Sequence, residues 1–209
     1  MPKAAPLEQD STFSRRRSTA TAGTPRPSRL DASSCRPHPS LVELKLTVDE
    51  FVVLRPTYWC VGLLGFSLSP EPDTPDSEVL TALIKHTRYR DHYSSPESWS
   101  STTEPIHGPY DLTLLDASHF RPLPNGEVEA EMRALLDDAE HYGALAETLT
   151  KARAMGELLL DGGGRVYDLS RRDDIPLHSW GWVLGSDWHE IVRVDAAAGR
   201  VFDLLWFVD

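Results

Sequence analysis

Few side chains in this sequence have both the type and the spacing that chemistry needs. Cys60 lies in the apolar run "YWCVGLLGF". Paired with an imidazole such as His107 or His178, its thiol would be a nucleophile. An apolar strand is equally the usual place for a cysteine that fills a core, and no nucleophile-elbow or papain-like pattern surrounds it. His86 and His92 in "HTRYRDHY" are six residues apart. That is off the spacing of three or four that brings two ligands onto one helical face, so they read as a solvated face. "WHEIVR" begins like a zinc-protease helix, but its fifth residue is Arg193 and the segment has strand character. "DGGG", from Asp161, lacks the Lys-Ser/Thr of a phosphate loop and reads as a turn. No metal set and no cofactor motif emerges.

Two other groups could recognise a partner rather than transform a substrate. Glu127, Glu131 and Asp138 recur at spacings of four and seven, so they share one stripe of a helix. The stripe is either a solvated face or a docking face for a basic protein surface, since complementary charge speeds and orients association. Trp180, Trp182, Trp188 and Trp206 crowd the last third of the chain. Such rings serve either as core or as a partner-binding face, with Trp180, Trp182 and Trp188 the candidates for the latter.

The elements that must position these residues follow from periodicity. "LVELKLTV" alternates, with Leu44, Leu46 and Val48 on one side, which predicts a strand. Thr47 and Glu50 offer a capping box for a short helix as the alternative. "YWCVGLLGFSL" predicts a buried strand. "TPDSEVLTALIKHTRYRDHY" predicts a helix capped by Thr74, with Pro75 in its first turn and Val79, Leu80, Leu83 and Ile84 inward. Residues 94–109 have no period and many turn formers, which predicts a surface loop. "YDLTLLD" predicts a short strand. After "PLPNG", Val128, Met132, Leu135, Leu136, Ala139 and Tyr142 predict the strongest amphipathic helix. Gly143 interrupts it, and "ALAETLTKARAM" predicts another helix. "ELLL", "RVYDL", "HSWGWVLG", "DWHEIVRV" and "RVFDLLWFV" predict strands. The near-repeat of "DGGGRVYDL" and "DAAAGRVFDL" reads as two hairpins, with Tyr167 and Phe202 inward and Arg165 and Arg200 in solvent. The fold class expected is α+β: a mostly antiparallel sheet with about three helices packed against it.

Charge divides the chain. Its formal net charge is −11 over 209 residues. Residues 1–40 hold seven basic and three acidic residues, and the rest, at 14 basic against 29 acidic, carries −15. The first 40 residues are rich in Ser, Arg and Pro and poor in core formers, so they are expected to be a disordered tail before a single domain over 41–209. Their composition also fits a transit peptide or an over-extended start. The acidic remainder argues against a nucleic-acid partner and against docking on anionic membranes. Two cysteines supply no disulfide framework, which fits a reducing compartment.

"WGWVLGSDWHEIVRVDAAAGRVFDLLWF" resembles the sheet of the SUKH immunity-protein superfamily, where an aromatic and Gly-Asp run precedes an apolar strand, a glycine turn and an Arg-Val-aromatic strand. "ETLTKARAMGELLLDGGGRVYDL" is similar to that family's helix running into a glycine-rich turn. The resemblance covers residues 144–209, without the family's Leu-Pro before the helix and without its C-terminal helix. It implies an α+β protein of the bacterial cytoplasm that binds and neutralises a toxin, often a nuclease or deaminase, and it transfers no catalytic residue. The function expected is therefore a non-catalytic protein-binding module, with a small hydrolase using Cys60 or a histidine as the alternative. A deep polar pocket would favour the enzyme, and a shallow acidic patch the binder.

Overall fold

The computed structural model describes residues 42–69, 74–90, 105–170, 175, 177 and 188–208. The expected tail over 1–40, the helix beyond Arg90, most of the 94–109 loop, the strand at "HSWGWVLG", and His92, His178, Trp180 and Trp182 lie outside them. All described residues belong to the unit Pro39–Asp209.

A six-stranded antiparallel sheet organises that unit. Its strands are β1 (Leu44–Leu54), β2 (Trp59–Leu68), β5 (Arg121–Leu123), β6 (Arg165–Asp168), β7 (Trp188–Asp195) and β8 (Arg200–Val208), in the order β1-β2-β8-β7-β6-β5. A small hairpin pairs β3 (Ile106–His107) with β4 (Tyr110–Asp111). Among the described residues three helices exceed two turns: α1 (Asp76–Lys85), α3 (Asn125–His141) and α4 (Ala146–Leu160). A fourth, α2 (Thr87–Arg90), is a single turn. The α+β class is as expected. No described helix is long and apolar enough to cross a membrane.

Both faces of the sheet are covered. On one, Val128, Met132, Leu135 and Ala139 of α3 and Leu149, Ala152, Met155 and Leu159 of α4 join Val61, Leu63, Ile191, Leu204 and Trp206. On the other, α1, Tyr89, Tyr110 and Phe120 cover Cys60, Leu64, Phe66, Val192, Val194, Leu205 and Phe207. Two-sided burial explains why β2, β7 and β8 read as nearly continuous apolar runs instead of alternating.

The structure corrects several sequence expectations. Leu44, Leu46 and Val48 do not share a face, because the β1–β2 register shifts between Leu46 and Val48. One extra residue in a strand reverses the alternation beyond it. Leu44 and Leu46 therefore join the α1-side core and Val48 the α3/α4 side. There Val48 faces Gly65, where an added Cβ would lie 2.8 Å from the Val48 Cβ. β1 runs unbroken through "DEFVVL", so the helical alternative at Thr47 and Glu50 does not form. Pro75, not Thr74, is the N-cap of α1, and the helix ends at Lys85. "YDLTLLD" is a strand only over Tyr110–Asp111.

"ELLL" is not a strand but the last turn of α4, since Leu149, Ala152, Met155 and Leu159 fall on one buried helical face. The glycines after Asp161 thus turn a helix into β6, and only the second copy of the repeat is a hairpin. Tyr142 caps α3 and is 65 % exposed rather than inward. Beyond it Gly143 has φ +87°, its N–H bonds Glu140 O, and Ala144 N–H bonds Ala139 O. This is a Schellman stop, whose left-handed residue favours glycine.

The two copies of the repeat also sit out of phase. Val166 and Phe202 both lie opposite Arg193, while Tyr167 and Asp203 both lie opposite Val192. An offset of one residue sends matching letters to opposite faces. Tyr167 packs on the α1 side and Phe202, partly buried, on the α3/α4 side. Arg165 is exposed and Arg200 half-exposed, as expected.

Candidate functional site

The offset has a chemical consequence. Asp168 and Asp203 occupy the same letter of the repeat, yet their surroundings differ. Asp168 is fully served: Arg121 Nη2 lies 2.5 Å from Oδ2, and the Ser170 N–H donates to Oδ1 over 2.8 Å. Asp203 points into the α1-side core, is 0 % exposed, and neither carboxyl oxygen has a hydrogen-bond partner.

Two more polar residues share that core. Glu190, 0 % exposed, stands on β7 beside β8. His107, 1 % exposed, is carried by β3 from the layer above. Each of His107, Glu190 and Asp203 offers a donor atom, and the three atoms lie within 4.8 Å of one another. The expectation of a surface loop through residue 109 is therefore wrong at its end. The chain there is held close, since a Cβ at Gly108, φ +49°, would lie 2.3 Å from the Trp188 indole.

Hydrogen bonds fix the protons around this cluster. His107 Nδ1 is 2.5 Å from Tyr89 O, and a carbonyl oxygen only accepts, so Nδ1 carries its hydrogen. The ring stacks on Tyr89 at 3.7 Å between centroids and meets Trp188 edge-on at 5.6 Å. Tyr89 O–H donates to Glu190 Oε1 over 2.6 Å, and Trp188 Nε1–H lies 3.4 Å from Oε2. Burial first, then the nearby carboxylates of Glu190 and Asp203, pushes the Tyr89 hydroxyl well above its usual range, so it remains a donor. Burial first, then Glu190, likewise pushes Asp203 well above the carboxylate range. His107 Nε2 completes the cluster 3.0 Å from Glu190 Oε2. Such an arrangement can share protons or hold a cation.

The acidic stripe lies on the opposite side of the sheet. Glu131 and Asp138 line an open groove of about 670 Å³ between α3 and the ends of β2, β7 and β8. Trp59 and Tyr142 supply aromatic wall, and His189 Nδ1 sits 3.0 Å from Glu131 Oε1. Glu127 does not line the groove. It is exposed in the first turn of α3, where the helix dipole favours an acid. Trp188 is 1 % exposed and belongs to the core, so it is not available to a partner. Cys60 is buried, with its sulfur 3.7 Å from Tyr58 O, and both ring nitrogens of His107 are engaged by Tyr89 and Glu190.

"WHEIVR" is strand, as expected, but its Glu190 belongs to the buried cluster that sequence reasoning missed. The available signal was a carboxylate inside an apolar strand, in "WHEIVRV" and again in "RVFDLLWFV". Comparisons with protein-family models, curated proteins and solved structures give no match to this chain.

Proposed function

We propose that this chain is a non-catalytic protein-binding module whose groove beside α3 receives a basic segment of a partner. The observation that carries the reading is the placement of Glu131 and Asp138 in one groove with aromatic walls. They are seven residues apart, hence about 10 Å along the helix axis at 1.5 Å per residue. Two cationic side chains on one face of a partner segment match that spacing. Arginine fits best, because its planar guanidinium pairs with carboxylates and stacks on aromatic faces. The resemblance of residues 144–209 to SUKH proteins makes a toxin domain the partner class. A nuclease or deaminase presents basic surface where it meets nucleic acid, and an acidic groove is complementary to that surface.

The test uses the full chain and a fluorescent nona-arginine peptide as probe. Its Kd is measured for the wild type, for Glu131→Gln/Asp138→Asn, and for Glu129→Gln/Asp137→Asn, which removes the same charge from residues of α3 that line a different hollow, beside α4. We expect the groove variant to weaken binding about tenfold or more, the control less than about threefold, and both effects to shrink with salt. Equal losses in the two variants would mean that the peptide reads net charge alone, and would overturn the reading.

A further inference from the structure

The buried cluster beneath the β3–β4 hairpin has nothing to do with the groove, and its polar accounting does not close with protein atoms alone. Glu190 accepts from Tyr89 and lies within reach of the Trp188 N–H, so both of its oxygens act as acceptors. His107 Nε2 nevertheless faces Glu190 Oε2 at 3.0 Å, while Nδ1–H is already committed to Tyr89 O. Asp203, wholly buried, receives no hydrogen bond at either oxygen. A native core rarely leaves a buried carboxyl without a partner. As carboxylates, Glu190 and Asp203 place two negative charges in the core, and such charge is found paired or bound to metal. Of the three side chains Asp203 is the one left without a hydrogen-bond partner, and the donor atoms of all three converge on one point.

We propose that His107, Glu190 and Asp203 bind one divalent cation of the zinc type. The donor set is one imidazole nitrogen and two carboxylates. Nitrogen favours a first-row transition ion or zinc over magnesium or calcium, whose ligands are oxygen. The His107 hydrogen bond to a backbone carbonyl holds the ring with Nε2 turned towards the Glu190 carboxylate, the usual outer-shell arrangement of a metal histidine. Tyr89, bonded to the other Glu190 oxygen, plays the same part for the carboxylate. Zinc bonds of about 2.0–2.1 Å put tetrahedral donors roughly 3.4 Å apart. Donors now within 4.8 Å reach that with side-chain shifts under about 1 Å each. Because His107 comes from the hairpin and the carboxylates from adjacent β7 and β8, the ion would tie the hairpin to the sheet.

The site makes no demand on the groove, so either idea can fail alone. The test is metal content of the purified full chain by mass spectrometry, with melting temperature before and after a strong chelator and after re-addition of Zn(II). We expect close to one zinc per chain, a fall in Tm of roughly 5 °C or more on stripping, and recovery with Zn(II). Asp203→Asn keeps the shape and should lose both the metal and the chelator response. A wild type without metal, unmoved by chelator, beside an Asp203→Asn chain of equal or higher Tm would mean that two protons neutralise the cluster, and would overturn the proposal. Zinc retained by Asp203→Asn would overturn it too. Should that variant fail to fold, X-ray absorption of the wild type decides: a nitrogen and oxygen shell supports the site, and a sulfur ligand refutes it.

Discussion

Tyr167 shows how one side chain gains its properties from its place in the sheet. Its ring lies in the α1-side core and its hydroxyl donates to Asp76 Oδ2 over 2.5 Å, joining β6 to the first turn of α1. Burial first, then that bond, pushes its pKa up to about 12 from the ordinary 10. The folded state therefore holds the proton more tightly than the unfolded state. The stability it contributes is complete below pH 10 and is lost as pH rises from about 10 to about 12, because the unfolded chain ionises first. Tyr89, shifted the same way by deeper burial, adds to the decline. Urea unfolding at pH 8, 10 and 11 should show stability falling across that window, with a shallower fall in Tyr167→Phe. An unchanged slope in that variant would place the linkage elsewhere. The inward position of Tyr167 was legible in "RVYDL", since an aromatic in an apolar strand packs on something. The fate of the aspartate beside it was not. Asp168 and Asp203 follow the same letters, and only the one-residue offset across β7 sends one to Arg121 and the other into the core.

At the scale of elements, close approaches decide what each position tolerates. Gly65 sits where β1 shifts register, and an added Cβ would lie 2.8 Å from the Val48 Cβ and 3.1 Å from the Phe202 ring. Val48 is β-branched on a paired strand and has little freedom to yield. Gly156 sits where α4 crosses α3, and its Cβ would meet only the end of the Met132 side chain, at 2.7 Å. A methionine terminus can rotate away, and alanine gains about 1 kcal/mol of helix propensity over glycine. Gly65→Ala should then destabilise by about 1–3 kcal/mol, and Gly156→Ala should be near neutral or stabilising. Chemical denaturation of both variants checks the order, and a reversed order would contradict the packing of both sites. Periodicity found α1, α3, β2, β7 and β8 because each carries a long one-sided or apolar pattern, and it found the start of β1 from a short alternation that the register shift then reverses. It missed the extension of α4 through "ELLL" because three consecutive leucines satisfy a strand as well as a helix. The three-residue β5 is too short to carry any period, and the shift in β1 leaves no letter in the sequence that marks it.

At the scale of the molecule, the described residues form a sheet buried on both faces, and among them the acidic charge is only partly compensated by ion pairs. Residues 41–209 carry a formal −15. The ion pairs of Arg88 with Asp49, Arg121 with Asp168, Arg165 with Asp76 and Arg200 with Asp195 are mostly partly exposed, the kind worth little. Along α3, the six acids Glu127, Glu129, Glu131, Asp137, Asp138 and Glu140 outnumber the basic groups beside them: among the described residues Arg133 lies on the same helix, His189 pairs with Glu131, Arg153 of α4 shares a hollow with Glu129 and Asp137, and Lys151 of α4 lies 3.9 Å from Glu147 on its own helix. Self-repulsion at the surface should therefore outweigh attraction. Salt screens both, with a Debye length of about 30 Å at 0.01 M and about 8 Å at 0.15 M, so it relieves whichever is larger. The melting temperature should rise by several degrees between about 0.01 and 0.3 M NaCl, and a charge-reducing variant such as Glu129→Gln/Asp137→Asn should flatten the rise. The same salt should weaken nona-arginine binding, so stability and association are expected to move in opposite directions. A melting temperature that falls with salt would mean that attractive pairs dominate the surface, and it would remove the argument that excess acidity on α3 is available to a partner.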